Sequence, residues 1–367
     1  MNSIDKSCSE TRTCTILAIG FAQWRGCDPR ALAQSFRELG HALIEIDAED
    51  YVPWRWNGFV TRVFRRLFLN ALTGDYNRDV LKLAESAEFD FILVFKGMYL
   101  QAETLRVLRS YGKPIYNFYP DVSFVDSGDY IPSALCHYDC IFTTKSFHGK
   151  REIDEFQIKE LMHVRHGFDP EVHRPLKLSA AQMERYGCDI SFVGCWSADK
   201  ERLISLIINS RRNYRVVVYG IGWKYASSAF RNALGNDLRP GVFGDELAIV
   251  YNASRVNLGL LSRATSDASL ADQTTVRTFQ IPASRSFMLH EDTPEVRTYF
   301  ESGKEIVLFE SESDLIVKLD MALGNDALRD AISLNGYERC ISEPYDYSSA
   351  AETVMHYFEN SHVLQST

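Results

Sequence analysis

The sequence predicts an α/β protein of two Rossmann-like, doubly wound domains that face each other across a cleft. Three observations carry that expectation. Short β-rich runs alternate with amphipathic helical stretches along the chain, the order that builds parallel sheets flanked by helices. The 367 residues are enough for two domains at roughly 100–200 residues each. A polar segment with two prolines, His166–Leu178 (HGFDPEVHRPLKL), divides the alternation into two similar series.

The first series opens with Thr15–Gly20 (TILAIG), a buried strand. Asp28–Gly40 follows as a helix, with Asp28 as N-cap, Pro29 at the first position and Gly40 as the stop. Ala42–Asp47 is the next strand, and Phe91–Phe95, Pro114–Tyr119, Cys140–Thr144 and Leu161–Arg165 continue the set. Helices lie between them, Ala102–Tyr111 among them. The second series has strands Asp189–Val193, Arg215–Tyr219, Val256–Leu261, Phe287–Leu289 and Glu305–Phe309. Its helices are Asp199–Asn209, Asp245–Asn252, Val276–Ser284, Glu312–Leu323 and Asp326–Ile341, and Ser348–Glu359 closes the chain. We expect domains over 1–170 and 171–345, with 346–367 a terminal helical segment. Open α/β sheets bind ligands outside the carboxyl ends of their strands, so the cleft is the expected site.

Composition narrows the function classes. Hydrophobic residues make up 46% and charged residues 24%, which excludes disordered, collagen-like and coiled-coil chains. No apolar run approaches the roughly 20 residues of a membrane span, and Met1–Cys14 lacks the apolar core of a secretory signal. Net charge is −9, with 21 basic and 24 acidic side chains up to Pro175 and 19 and 25 beyond it. Neither half has the basic surplus of a nucleic-acid binder. The eight cysteines are scattered with no CxxC pair, which reads as reduced thiols in a cytoplasmic protein. The nine histidines show no HxxxH or HExxH spacing, so no metal site is expected.

Nine segments, in order, resemble the CgeB-like (spore maturation protein-type) glycosyltransferases. They are Phe89–Gly112, Tyr119–Asp121 (YPD), Tyr138–Phe147 (YDCIFTTKSF), His166–Pro175 (HGFDPEVHRP), Asp189–Gly194 (DISFVG), Val218–Trp223 (VYGIGW), Tyr251–Leu258 (YNASRVNL), Arg277–Ala283 (RTFQIPA) and Thr293–Phe309. The resemblance implies the two-domain GT-B fold. It also implies transfer of a sugar from a nucleotide diphosphate, most simply UDP, without an essential metal. The acceptor is left open: a glycan, a lipid-linked group, a protein or a small molecule. It further implies that the last helix returns to the first domain. Family members usually read RTFE-IPA-x-GG with a His three residues before the Arg. Here Thr274 stands at the His position, Gln280 at the Glu, and Arg285 and Ser286 at the two glycines.

A departing diphosphate needs cations and backbone N–H groups. Gly194 ends a strand and would let the ligand approach the backbone, and the next helix carries Lys200 and Arg202 as diphosphate partners, or merely presents a solvated face. Asp272 and Gln280 stand eight apart, the spacing of the paired acids of retaining GT-B enzymes, with the first near the sugar and the second near the ribose. Thr275 and Arg277 begin the helix between them. Trp223 or Phe243 would stack on the base, or else be core. Asp121 follows a strand and is the first choice as general base if the reaction inverts, with His166 the second. The stretch 52–72 (VPWRWNGFVTRVFRRLFLNAL) puts Phe59, Val63, Phe64, Leu67, Phe68 and Leu72 on one helical face and Arg62, Arg65 and Arg66 opposite. It covers the first sheet or lies on an anionic membrane surface. Two rival readings are a catalytically degenerate binder, prompted by Gln280 and Arg285, and a transferase acting on modified DNA.

Overall fold

The computed structural model describes residues 13–52, 59–210, 212–263 and 271–363. Two six-stranded parallel sheets organise the chain. The first contains β1 (Thr15–Ile19), β2 (Ala42–Ile46), β3 (Phe91–Phe95), β4 (Ile115–Tyr119), β5 (Cys140–Thr143) and β6 (Leu161–His163) in the order β2-β1-β3-β4-β5-β6. The second contains β7 (Cys188–Val193), β8 (Val216–Tyr219), β9 (Leu238–Arg239), β10 (Ser254–Gly259), β11 (Met288–Glu291) and β12 (Val307–Phe309) in the order β12-β11-β10-β7-β8-β9. Each sheet therefore reverses its winding once, between β1 and β3 and between β7 and β10. This is the doubly wound pair that the alternation predicted.

Both faces of each sheet are covered, so the strands are near-continuous apolar runs. Alternation assigns each side chain to a face. Ile16 and Ala18 of β1 join Phe91, Leu93, Tyr116 and Phe142 on one face, under Leu32 and Phe36 of the helix Asp28–Glu38. Leu17 and Ile19 join Ile92 and Val94 on the other, under Tyr76, Val80 and Leu105. In the second sheet Ile190, Phe192, Val216 and Val218 pack on Leu203, Ile207, Leu315 and Leu319. Val217 and Tyr219 face Leu247, Val250 and Phe279.

The last helix, Ser348–Val363, leaves the second sheet and packs on the first. Ala351, Val354, Met355 and Phe358 are buried there, and the Phe358 ring lies 4.7 Å from that of Phe91. The crossover is tight, since a Cβ on Gly167 would stand 2.8 Å from the Asp346–Tyr347 backbone.

Several elements differ from the sequence expectation. Helices Ala180–Tyr186 and Ser228–Leu234 occupy stretches read as connections. Their signals are Ser179 and Ser227, whose hydroxyls accept from the backbone N–H of Gln182 and Phe230. The helix Asp28–Glu38 is capped by Cys27, one residue before the expected Asp28. The basic stretch begins the long helix Phe59–Ser86, but Val63, Leu67 and Phe68 are exposed rather than laid on the sheet. Among the described residues, the second half of that helix reaches the core through Tyr76, Val80 and Ala84. Residues 53–58 and the side chains of Phe59, Arg62, Phe64 and Arg65 lie outside what is described.

Phe358→Ala removes a buried ring from the first domain and is expected to lower its unfolding free energy by about 3–5 kcal/mol. Urea unfolding followed through the near-UV signal of the aromatic core measures this.

Candidate active site

The carboxyl ends of the two sheets face a cavity of about 600 Å³, within the range that binds a small ligand. It sits at both switch points. Gly20 after β1 and Lys96 after β3 line one side, and Gly194 after β7 lines the other. The backbone at these strand ends is constrained. Gly20 has φ +80°, and a Cβ there would meet the Phe95 carbonyl oxygen at 2.9 Å. Lys96 holds φ +60°, which a non-glycine residue adopts only when its surroundings impose it.

On the side of the second sheet, Arg277 dominates. It stands in the first turn of the helix Val276–Ala283 and lines the cavity. Its guanidinium lies over the Phe192 ring at 5.4 Å, and Nη2 donates to the Leu260 carbonyl at 2.8 Å. Its Nε is buried and has no hydrogen-bond partner among the described residues. Gly194 must lack a side chain here, because a Cβ would stand 2.8 Å from the Phe192 ring and 3.1 Å from Arg277 Nη1. Gln280 lines the same wall, its amide oxygen accepting from the Tyr251 hydroxyl at 3.4 Å. Phe243 is half-exposed at the rim, edge-on to Trp24 at 5.4 Å.

Lys200 is buried beside this wall, with Nζ donating to Ser262 Oγ at 3.1 Å. Burial and the nearby Arg277 bring its ammonium down to about 8. Lys200 does not itself line the cavity, so Arg277 is the cation that the second domain places in the wall, with Lys200 buried near it.

On the side of the first sheet, Asp121 lines the cavity and forms an ion pair with Lys96 at 2.6 Å. Burial pushes its carboxyl up, but Lys96 overrides this and holds it below the usual range. Asp28, in the first turn after the β1 loop, lines the cavity as well.

Other expected site residues are placed elsewhere. Asp272 does not line the cavity. It is buried and accepts from Lys145 Nζ at 2.7 Å, across the two domains. His166 is buried against the same lysine at 3.2 Å, and burial followed by Lys145 lowers its imidazole well below the ordinary range. Thr275 caps the helix that carries Arg277, its N–H donating to Thr278 Oγ1 at 2.9 Å. Arg202 is a correction: half-exposed, it pairs with Glu312 and Asp199 on the solvated helix face and does not line the cavity. Lys200, two residues earlier, is buried but does not line the cavity either. Trp223 is a second correction. It is buried against Phe230, and its indole N–H donates to the Gly194 carbonyl at 2.9 Å, so no ring face is open to a base.

Lys145 and Asp28 were not singled out in the sequence. Lys145 sits inside the matching segment YDCIFTTKSF, but its burial follows only from the docking of the two domains. Asp28 was read as a helix cap. Among the described residues, no three His, Cys, Asp or Glu side chains cluster as metal ligands would, and no helix is long and apolar enough to cross a membrane.

Residues 200–356 match a family model described as glycosyl transferase-like. No curated protein matches the chain significantly. Among solved structures, a sucrose-phosphate synthase from Thermosynechococcus elongatus is similar over 96% of this chain and all of its own, with 12% identity and a TM-score of 0.63. A glycosyltransferase from Rickettsia africae is similar over 95% of this chain and 98% of its own, with 10% identity and a TM-score of 0.62. The Anabaena protein HepE, in complex with UDP and glucose, is similar over 96% and 100%, with 10% identity and a TM-score of 0.59. At such identities the likeness is one of fold. The chain therefore carries a glycosyl transferase-like domain within the GT-B fold, the build of a transferase. The match does not single out the CgeB-like subtype.

Lys145→Ala leaves the Asp272 carboxylate buried and unpaired, and is expected to cost about 3–5 kcal/mol of stability. The double variant Lys145→Met with Asp272→Leu should recover most of that loss in chemical denaturation.

Proposed function

We propose that the protein is a nucleotide-sugar-dependent glycosyltransferase that works without a metal. The second domain holds the nucleotide diphosphate, and the first presents a hydroxyl-bearing acceptor. One observation carries this reading: Arg277, in the wall of the cleft, has a buried Nε–H with no partner among the described residues. A buried donor on a charged group is costly to leave unpaired, and a diphosphate oxygen would satisfy it. Lys200 adds a second cation and Gly194 gives access to the backbone. These groups lie where negative charge builds as the sugar leaves, so they would stabilise the transition state more than the ground state.

UDP is the favoured nucleotide because HepE, of the same fold, is seen with UDP and with UDP-glucose. Gln280, with one amide oxygen already facing Tyr251, would offer its N–H₂ to a ribose oxygen, and Phe243 at the rim would flank the base. The acidic balance of the chain disfavours a nucleic-acid acceptor. Exposed Val63, Leu67 and Phe68 beside exposed Arg66 support peripheral contact with an anionic membrane. Co-sedimentation with phosphatidylserine vesicles, lost on Leu67→Glu, tests that part.

UDP should raise the melting temperature more than GDP, ADP or TDP, because a ligand bound only by the folded state stabilises it. Arg277→Ala should abolish most of that shift and lower sugar turnover by on the order of 10²-fold. Turnover should survive excess EDTA. Nucleotide binding with no turnover of any sugar nucleotide would instead mark a binding protein.

A further inference from the structure

We infer that Asp28 is the general base that accepts the proton of the acceptor hydroxyl, so that transfer inverts the sugar's anomeric carbon. The inference rests on the transferase reading above and names a residue that reading does not use.

Placement comes first. Asp28 lies in the first turn of the helix Asp28–Glu38 and in the cavity wall. The loop that delivers it is clamped against the second domain. Gly26 packs so closely on Gly244 that a Cβ would stand 2.6 Å from its Cα, and Arg25 pairs with Asp245 at 3.1 Å. From the second domain, Tyr251 lies near enough for the Asp28 charge to act on its phenol. That phenol donates to Gln280 in the opposite wall. Asp28 from the first domain and Tyr251 and Gln280 from the second therefore line one cavity.

Charge comes second. The groups around Asp28 are Cys27 and Tyr251, Tyr347 from the final crossover, Asp121 after β4, Lys145 after β5, and Asp169 in the interdomain segment. Each charged one already has a counter-ion: Asp121 has Lys96 at 2.6 Å, Asp169 has Arg30 at 3.5 Å, and Lys145 has Asp272 at 2.7 Å. Asp28 makes no ion pair of its own among the described residues. Burial pushes its carboxyl up to about 6, Asp121 and Asp169 add to the rise, and the Tyr347 hydroxyl and Lys145 oppose it. Asp121 is held low instead. Four carboxylates line the cavity, Asp28, Asp47, Glu49 and Asp121; Asp28 and Asp121 are driven apart, and the one near 6 has the basicity to take a proton at neutral pH.

The step balances without a further reactant. The acceptor oxygen bonds to the anomeric carbon as the bond to the diphosphate oxygen breaks. The electron pair leaves with the diphosphate toward Arg277, and the hydroxyl proton passes to the Asp28 carboxylate. Water in place of the acceptor gives hydrolysis by the same route.

The test uses hydrolysis of UDP-, GDP-, ADP- and TDP-glucose by the full chain. Wild-type kcat/KM should fall tenfold per pH unit below about 6, because the base must be unprotonated. Asp28→Asn should lower turnover by on the order of 10²-fold or more and remove that limb, while UDP affinity by calorimetry stays unchanged. Asp28→Glu should keep the limb at reduced rate. By NMR, the first sugar released from an α-configured donor should be the β-anomer. Asp28→Asn with wild-type rate or an intact acidic limb, or release of the α-anomer, would overturn the inference and leave the transferase reading standing. A wild type that binds none of the nucleotides and hydrolyses none of the sugars would overturn both.

Discussion

The two domains meet on a buried ion pair. Lys145 and Asp272 lie on loops from different sheets, both buried, at 2.7 Å. Removing either charge from water is costly, and only the other repays it. The loop after β5 and the loop before the helix Val276–Ala283 must therefore arrive together. His166 leans on the same lysine at 3.2 Å, and Thr274 donates to Glu295 at 3.0 Å while Ser146 donates to the other oxygen of that carboxylate. Each sheet has its own apolar core, and these polar contacts, with the Trp24–Phe243 ring pair and the Gly26–Gly244 approach, set the space between them. That division gives the cavity fixed walls and lets Arg277 of the second domain and the carboxylates of the first share one volume.

The charges along that volume are sorted. Arg277 lines the wall from the second domain, and Asp28 and Asp121 with Lys96 line it from the first. A molecule with an anionic diphosphate and a neutral sugar has one favourable orientation in such a field. The same sorting gives two aspartates in one cavity different chemistry: one is neutralised by a neighbouring ammonium, the other left with a phenol for company.

Strand and helix alternation made the two sheets legible, because buried parallel strands must be apolar runs whatever else surrounds them. Glycine positions such as Gly20 and Gly194 were legible for the same local reason. What sequence order could not convey was which side of a helix meets the partner domain. Arg202 and Lys200 differ by two positions on one helix, and packing of Leu203 and Ile207 on the sheet decided which of them turned inward. Trp223 carried an aromatic signal that a base or a core would explain equally, and Phe192 and Phe230 claimed it for the core. Asp272 had the spacing of a sugar-binding acid, yet its partner Lys145 lies 127 residues away in the chain. Val63, Leu67 and Phe68 had the periodicity of a buried face, but periodicity does not say what lies opposite it.

The return of the last helix to the first sheet has a consequence for synthesis. Residues 348–363 leave the ribosome after the whole second domain, yet they cover Phe91, Tyr116 and Phe142 of the first. Domains generally fold in order of emergence, but here the first to emerge is the last to be closed. Until residues 348–363 emerge, part of one face of its sheet, beside the helix Asp28–Glu38, stays open and apolar. Closing it requires a contact between residues more than 250 positions apart, which slows the final step and leaves the nascent chain dependent on whatever shields that face in the interval.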